Sequence, residues 1–302
     1  MAVIISNIFK GPSDIPRDVE AALCFLCENF THSEKVGKSH LWQKITNLND
    51  PDILTAIAVY LVGSFTNAIG RNLSIRSKLF FDAGTLIKTM ESSIGEFIGS
   101  TNDEVTAEQQ DFKTKTRDPW IWEGISHLIV HLSRYSPNYH SPGSILATTG
   151  IKLKINDSGM DLIGIYKGTK AGVVIGESKA YSKDPAGGVT DAANKLSEVD
   201  QLRREDEIRA AVSDLTDSLE AKDFDDFHGE FWHHERNFIP AVCCDRASEL
   251  DWNRKRKVLS QLDPPVNRKI LLPLVFEDVR NSFDFISDVM RAYPTHVGNT
   301  DV

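Results

Sequence analysis

Apolar positions recur at three- and four-residue intervals over the first third of the chain and then give way to continuous runs and alternations. Val19, Leu23, Leu26 and Phe30 share one helical face, with Asp14 placed to cap and Pro16 in the first turn, which predicts a helix from Asp14 through Asn29. A second helix is predicted after Asp50-Pro51, carried by Ile53, Ile57, Leu61 and Phe65, and a third spans about Ser77 to Ile98. Residues 99–116, STNDEVTAEQQDFKTKTR, are polar throughout and predict a linker or exposed loop. The first expectation is therefore a helical N-terminal region over residues 1–116, followed by a different kind of domain over residues 117–302.

That second part opens on Asp118-Pro119, an acid at a cap position followed by proline at the first helical one, and continues as the amphipathic stretch WIWEGISHLIVHLSRY. Ser141-Pro142-Gly143 ends it. Ile145 to Ile155 reads as a strand, NDSG as a turn, and Met160 to Tyr166 and Val173 to Tyr181 as two further strands joined by the polar, glycine-containing KGTKAG. Pro185 to Gly188 predicts a break before a helix from about Thr190 to Glu207, whose stripe is Ala193, Leu196, Val199 and Leu202; a second helical stretch covers Ile208 to Leu219. Strands follow at Phe238 to Cys244 and Lys269 to Phe276, then a closing helix from Asp278 to Tyr293 and a polar tail expected to be disordered. The fold class expected is α/β, a helical N-terminal region followed by a mixed sheet flanked by helices.

Composition narrows the setting. A chain of 302 residues, 41% hydrophobic and 25% charged, can bury a sizeable core, and its apolar start lacks a basic region or cleavage pattern for export, so a soluble cytoplasmic protein is expected. The longest apolar run, Ile53 to Phe65, is short of the roughly 20 residues a bilayer span needs, and no membrane partner is expected. The four cysteines form no zinc spacing: Cys24 and Cys27 lie in a helical pattern and Cys243 and Cys244 in a strand, so all four read as core thiols. A formal net charge of -9 argues against a simple duplex binder. The basic residues are local: Lys152, Lys154, Lys167 and Lys170 around the hairpin, Arg203, Arg204 and Arg209 on a helix, and the run Arg254 to Lys257, each group readable as a solvated face.

Candidate chemistry lies in GMDLIGIYKGTKAGVVIGESKAY, residues 159–181. Asp161 opens one strand, while Glu177 and Lys179 sit two apart in the next and so share a face of the sheet. Charged side chains in a core strand call for pairing or a metal. Two carboxylates from neighbouring strands suit a hard cation such as Mg²⁺, which counters phosphate charge and lowers the pKa of bound water, with a lysine to orient that water. The same three residues also fit a plain ion pair at a sheet edge. Glu123, His127 and His131 fall on one helical face, which allows either a histidine-containing metal site or core histidines, and imidazoles suit zinc better than magnesium. Phe224 to Glu235, FDDFHGEFWHHE, mixes aromatic, acidic and histidine residues without ligand spacing and reads as a surface loop with aromatic anchors.

On Asp161, Glu177 and Lys179 in their strands, the chain resembles the PD-(D/E)xK nuclease superfamily, although Met160 stands where the superfamily pattern has proline. The words GMDLIGIY and IGESKAY are more specifically similar to the HamA family, nuclease subunits of bacterial Hachiman anti-phage defence, whose partner is a helicase, HamB. The similarity reaches from about residue 120 to about residue 245. It implies a restriction-endonuclease-like core in the order helix, three strands, helix, strand. It implies Mg²⁺ (or Mn²⁺) and no small-molecule cofactor, metal ligands at Asp161 and Glu177, catalytic roles for Asp161, Glu177, Lys179 and Glu123, and DNA and a restraining helicase subunit as partners. In the superfamily a polar residue sometimes reaches the site from the following helix, where Gln201 stands here, but a solvated Gln201 is expected. The competing expectations are a noncatalytic adaptor or DNA-binding subunit of a helicase complex, and a sequence-specific restriction enzyme.

Overall fold

The computed structural model describes residues 15–65, 83–104, 106–136, 143–152, 159–168, 170–217, 219 and 235–298. Its centre is a seven-stranded mixed sheet in the order β1-β2-β7-β6-β5-β4-β3. The strands are β1 (His32–Val36), β2 (Leu41–Ile45), β3 (Ser144–Thr148), β4 (Leu162–Lys167), β5 (Ala171–Ala180), β6 (Arg236–Asp245) and β7 (Ile270–Phe276). β2, β7, β6 and β5 run parallel, whereas β1 pairs antiparallel with β2, and β3, β4 and β5 form an antiparallel meander. β7 is buried at every position, and β6 at all but its last, so these strands are near-continuous apolar runs, as strands covered on both faces must be.

Among the described residues, nine α-helices cover the sheet or extend from it: α1 (Ile15–Asn29), α2 (Pro51–Phe65), α3 (Ala83–Phe97), α4 (Ala107–Phe112), α5 (Asp118–Leu132), α6 (Pro185–Asp200), α7 (Glu205–Asp217), the single turn α8 (Lys257–Ser260) and α9 (Val279–Gly298). Side chains of α1, α2, α3, α5 and α9 form one apolar layer with Leu162, Tyr166, Val174, Ile239 and Leu272 of the sheet. α6 and α7 form the opposite layer with Ile163, Ile165, Val173, Ile175 and Val242. Every residue of α2 from Ile53 to Phe65 is buried, which explains why its apolar character runs all round the helix. Among the described residues, no helix is long and apolar enough to cross a membrane.

The N-terminal part departs from the helical expectation. β1 and β2 belong to the main sheet, and β2 pairs with β7 (Leu41 beside Ile270, Ile45 beside Leu274), so the sheet draws strands from both sides of residue 116. The polar stretch 99–116 is not a loose linker either. Thr106 caps α4 in a reciprocal box, its Oγ1 accepting from Gln109 N at 3.2 Å while Gln109 Oε1 accepts from Thr106 N at 3.0 Å. α4 then passes through a π-helical turn, Lys113–Arg117, directly into α5. Asp118 therefore lies inside a continuing helix instead of capping a new one, and it pairs with Arg117 at 2.7 Å. Lys113 and Arg117 are buried and reach Asp284 of α9 at 3.1 and 2.6 Å, which anchors the segment. Thr106→Ala is expected to cost about 1 kcal/mol by loss of the cap. Urea unfolding checks this, and an unchanged midpoint would show that α4 stands without it.

Further along, Gly187 and Gly188 do not break the chain. Asp184 caps α6 through Gly187 N at 3.0 Å and Pro185 occupies its first turn, so the helix begins five residues before the expected Thr190. It ends at Asp200, and Leu202 takes the left-handed conformation (φ 61°) in the turn to α7, splitting what was expected as one helix to Glu207. The first strand ends at Thr148, short of the expected Ile155, and the closing helix runs on to Gly298, five residues into the stretch expected as a disordered tail. The Asp14 cap, the start of the third helix at Ser77, most of the NDSG turn, the aromatic loop through His234 and the tail beyond Gly298 lie outside the described residues.

Candidate active site

β4 and β5 build the site by ending at different places. Their last pair is Leu162 with Gly176, and the next residue beyond it on either strand is an acid, Asp161 and Glu177, whose like charges repel. β5 continues to Ala180, where β6 still pairs with it but β4 no longer does. The Ser178 N–H, past the end of β4, donates instead to Asp161 Oδ2 at 2.7 Å. The carboxylate thus finishes the ladder. By strand alternation Glu177 and Lys179 share a face, and Lys179 Nζ donates to Glu177 Oε1 at 2.6 Å. This end of β5 is also its carboxyl end among parallel strands, the usual location of binding sites in open α/β sheets.

Glu123 enters from α5, which packs on β5. Its depth is set in part by Gly124: a Cβ at that position would come within 2.3 Å of Leu61 Cδ2, so glycine lets α5 lie close against α2. The residues gather around a cleft of about 510 Å³ lined by Glu123, Lys152, Gly159, Asp161, Glu177, Lys179 and a polar stripe of α6, namely Asp191, Asn194, Lys195 and Glu198. All four residues expected at the site from sequence therefore meet in one cleft.

Its electrostatics are strained towards neutral acids. Glu177 is 3% exposed, its Oε2 has no hydrogen-bond partner among the described residues, and its carboxyl is pushed above the ordinary range by burial and then by Asp161, against the pull of Lys179. Glu123 is pushed up to about 8 by burial first and by Asp161 next, with Glu177 adding and Lys152 and Lys179 opposing. The two lysines respond in the opposite sense. Burial pulls the Lys179 ammonium down, but Glu177, Asp161 and Glu123 outweigh it, and its net shift is upward; Lys152 is shifted up in the same way, chiefly by Asp161.

Lys152 was not singled out as a site residue by sequence, where it reads as one of several basic residues flanking the hairpin. Its Nζ donates to Asp161 Oδ1 at 2.7 Å and to the Gly159 carbonyl at 2.7 Å. Of its neighbours in that group, Lys167 is exposed, Lys170 pairs with Glu235 at 3.2 Å, and Lys154 lies outside the described residues. The α6 stripe was also missed, although positions 191, 194, 195 and 198 have helical spacing opposite the apolar stripe. Gln201 is exposed at the end of α6 and bonds Ser197 Oγ at 2.8 Å.

The histidines on α5 are core residues. His127 Nε2 donates to the Thr149 carbonyl at 2.7 Å, which leaves Nδ1 to accept the Tyr60 hydroxyl at 2.7 Å. Burial pulls His127 down to about 4, and burial together with His127 pulls His131 down to about 3. The cysteines are free thiols, with Cys243 and Cys244 buried in β6. Among the described residues, no group of three or more His, Cys, Asp or Glu side chains is placed to hold a metal ion by itself. Oxygen donors from Asp161 and Glu177 do fit a hard cation, which is commonly held by one or two carboxylates with water and phosphate oxygens completing the shell, and the buried unpartnered Glu177 Oε2 is the donor atom left open for it. No protein-family model, curated protein or solved structure matches the chain.

Proposed function

We propose that the chain is a Mg²⁺-dependent deoxyribonuclease of the PD-(D/E)xK type that serves bacterial anti-phage defence beside a helicase subunit. One observation carries this reading: Asp161, Glu177 and Glu123 converge with Lys179 on a single cleft at the carboxyl end of β5, and the buried Glu177 Oε2 stands open. The order of elements supports it, since α5, the meander β3-β4-β5, α6 and β6 follow the helix, three strands, helix, strand sequence of that superfamily. The defence role and the helicase partner rest on the likeness of GMDLIGIY and IGESKAY to HamA alone.

Asp161 and Glu177 would hold the cation, which supplies charge compensation to the scissile phosphate and a water of lowered pKa. The chain's own groups do the rest. Lys179, fixed by Glu177, orients the attacking water and offers positive charge to the phosphoryl oxygens as they gain charge. Glu123 faces the same cleft and can hydrogen-bond a water there, as an acid in the metal-free site and as a carboxylate once a nearby cation favours its ionised form. Cleavage of supercoiled plasmid by the purified chain, with Mg²⁺ or EDTA and with or without the helicase, tests the reading; a smear is expected, and discrete bands would instead indicate a sequence-specific enzyme.

The noncatalytic adaptor keeps one observation in its favour, because Asp161 Oδ1 and Glu177 Oε1 are already neutralised by lysines. Metal-dependent stability separates the two. At a concentration about 100-fold above its dissociation constant, Mg²⁺ should stabilise the nuclease by about 2.7 kcal/mol, read as a rise of several degrees in Tm. Asp161→Asn should abolish that rise, whereas an adaptor shows none in either protein.

A further inference from the structure

Lys152 differs in kind from Lys179. Lys179 shares a strand and a face with the carboxylate it pairs. Lys152 lies four residues past the end of β3 and reaches across to Asp161. Its backbone is held, since Trp120 Nε1 of α5 donates to the Lys152 carbonyl at 2.9 Å. Among the described residues its ammonium makes two bonds, both at 2.7 Å, to Asp161 Oδ1 and the Gly159 carbonyl. The pair is secluded, with side chains 14% and 6% exposed. With Ser178 N on Oδ2, both oxygens of Asp161 are engaged by donors.

A dication held by Asp161 would sit within a few ångströms of that ammonium, where repulsion between like charges in a partly dehydrated cleft is strong.

We propose that Lys152 is a built-in counter-ion: it pins Asp161 in the metal-free protein and has to withdraw from Oδ1 for a divalent cation to be held there. The inference rests on the metal-dependent reading of the site. It makes metal entry and the release of Lys152 a single event, so that the site stays closed at low metal and opens by exchange of one cation for another.

Calorimetric titration of the full chain with Mn²⁺, without DNA, tests it. Lys152→Met keeps the length of the side chain and removes its charge, and it should bind Mn²⁺ at least tenfold more tightly than wild type; Lys152→Arg should stay within about twofold of wild type. A second measurement uses the wild-type protein, in case the methionine variant fails to fold. Amine labelling mapped by mass spectrometry should find Lys152 protected without metal and several-fold more reactive once Mn²⁺ is added. Equal or weaker binding by a folded Lys152→Met chain, or labelling of Lys152 indifferent to metal, would overturn the proposal while leaving metal binding at Asp161 intact. Absence of Mn²⁺ binding by wild type would overturn the metal-dependent reading itself.

Discussion

Glu177→Gln is expected to lower metal-dependent cleavage of plasmid DNA by at least ~10³-fold, equivalent to about 4 kcal/mol of transition-state stabilisation, and to leave the chain folded. The substitution keeps the shape of the side chain and removes the charge that two functions require. It takes away the buried oxygen left open for a cation, and it releases Lys179, whose ammonium is fixed by Glu177 Oε1. Folding should tolerate it because the position already resists ionisation: the Glu177 carboxyl is shifted up by burial and by Asp161 across the strand pair. Circular dichroism and Tm would establish that the variant is folded before its rate is compared. Lys179→Ala should show the same loss of cleavage with its affinity for Mn²⁺ retained, which separates orientation of water from metal binding. A folded Glu177→Gln protein that cuts DNA at the wild-type rate would place the chemistry elsewhere on the chain.

How much of this was legible in the residues depends on how far apart the contacting partners lie. The β4-β5 hairpin is local: two apolar runs, a glycine-containing turn, and three charges in places where charges are costly, so its strands and its acidic pair could be read directly. β1 and β2 were not legible. His32 to Val36 is an edge strand with four of five residues exposed, and β2 is stabilised by β7, some 229 positions away where Leu41 meets Ile270. The same distance hides the anchoring of residues 113–117, whose buried cations look like ordinary surface charge until Asp284 of α9 is placed beside them. Boundaries failed for local reasons. Gly187-Gly188 reads as a break because glycine is costly inside a helix, a cost the Asp184 cap and Pro185 at the first turn offset, and Leu202 gives no warning of its positive φ, a conformation that a leucine seldom adopts. Lys152 could be placed beside Asp161 only in three dimensions, since a separation of nine positions carries no spacing rule.

Glu123→Gln should stabilise the metal-free protein at pH 7 by about 3 kcal/mol, the opposite of what removing a structural charge would do. The sign follows from the raised carboxyl. Unfolded, Glu123 ionises near 4.5; folded, it holds its proton to about 8, so stability present below pH 4.5 is lost as pH rises through that window at about 1.4 kcal/mol per unit. Glutamine cannot ionise and escapes the loss. The buried histidines act in the other direction, because their folded values of about 4 and about 3 lie below the ordinary 6.5, so the stability they allow above pH 6.5 is lost on acidification. In EDTA, wild type is thus pulled down from both sides, whereas Glu123→Gln is spared the Glu123 share of the alkaline-side loss and keeps that of Glu177, and the difference between their urea unfolding free energies should widen steadily from pH 4.5 to 8. Parallel curves would show that Glu123 is not the group that resists ionisation. Added Mg²⁺ should narrow the difference, since a nearby cation favours the ionised carboxyl, and the residue that weakens the empty fold is then the one suited to the loaded site.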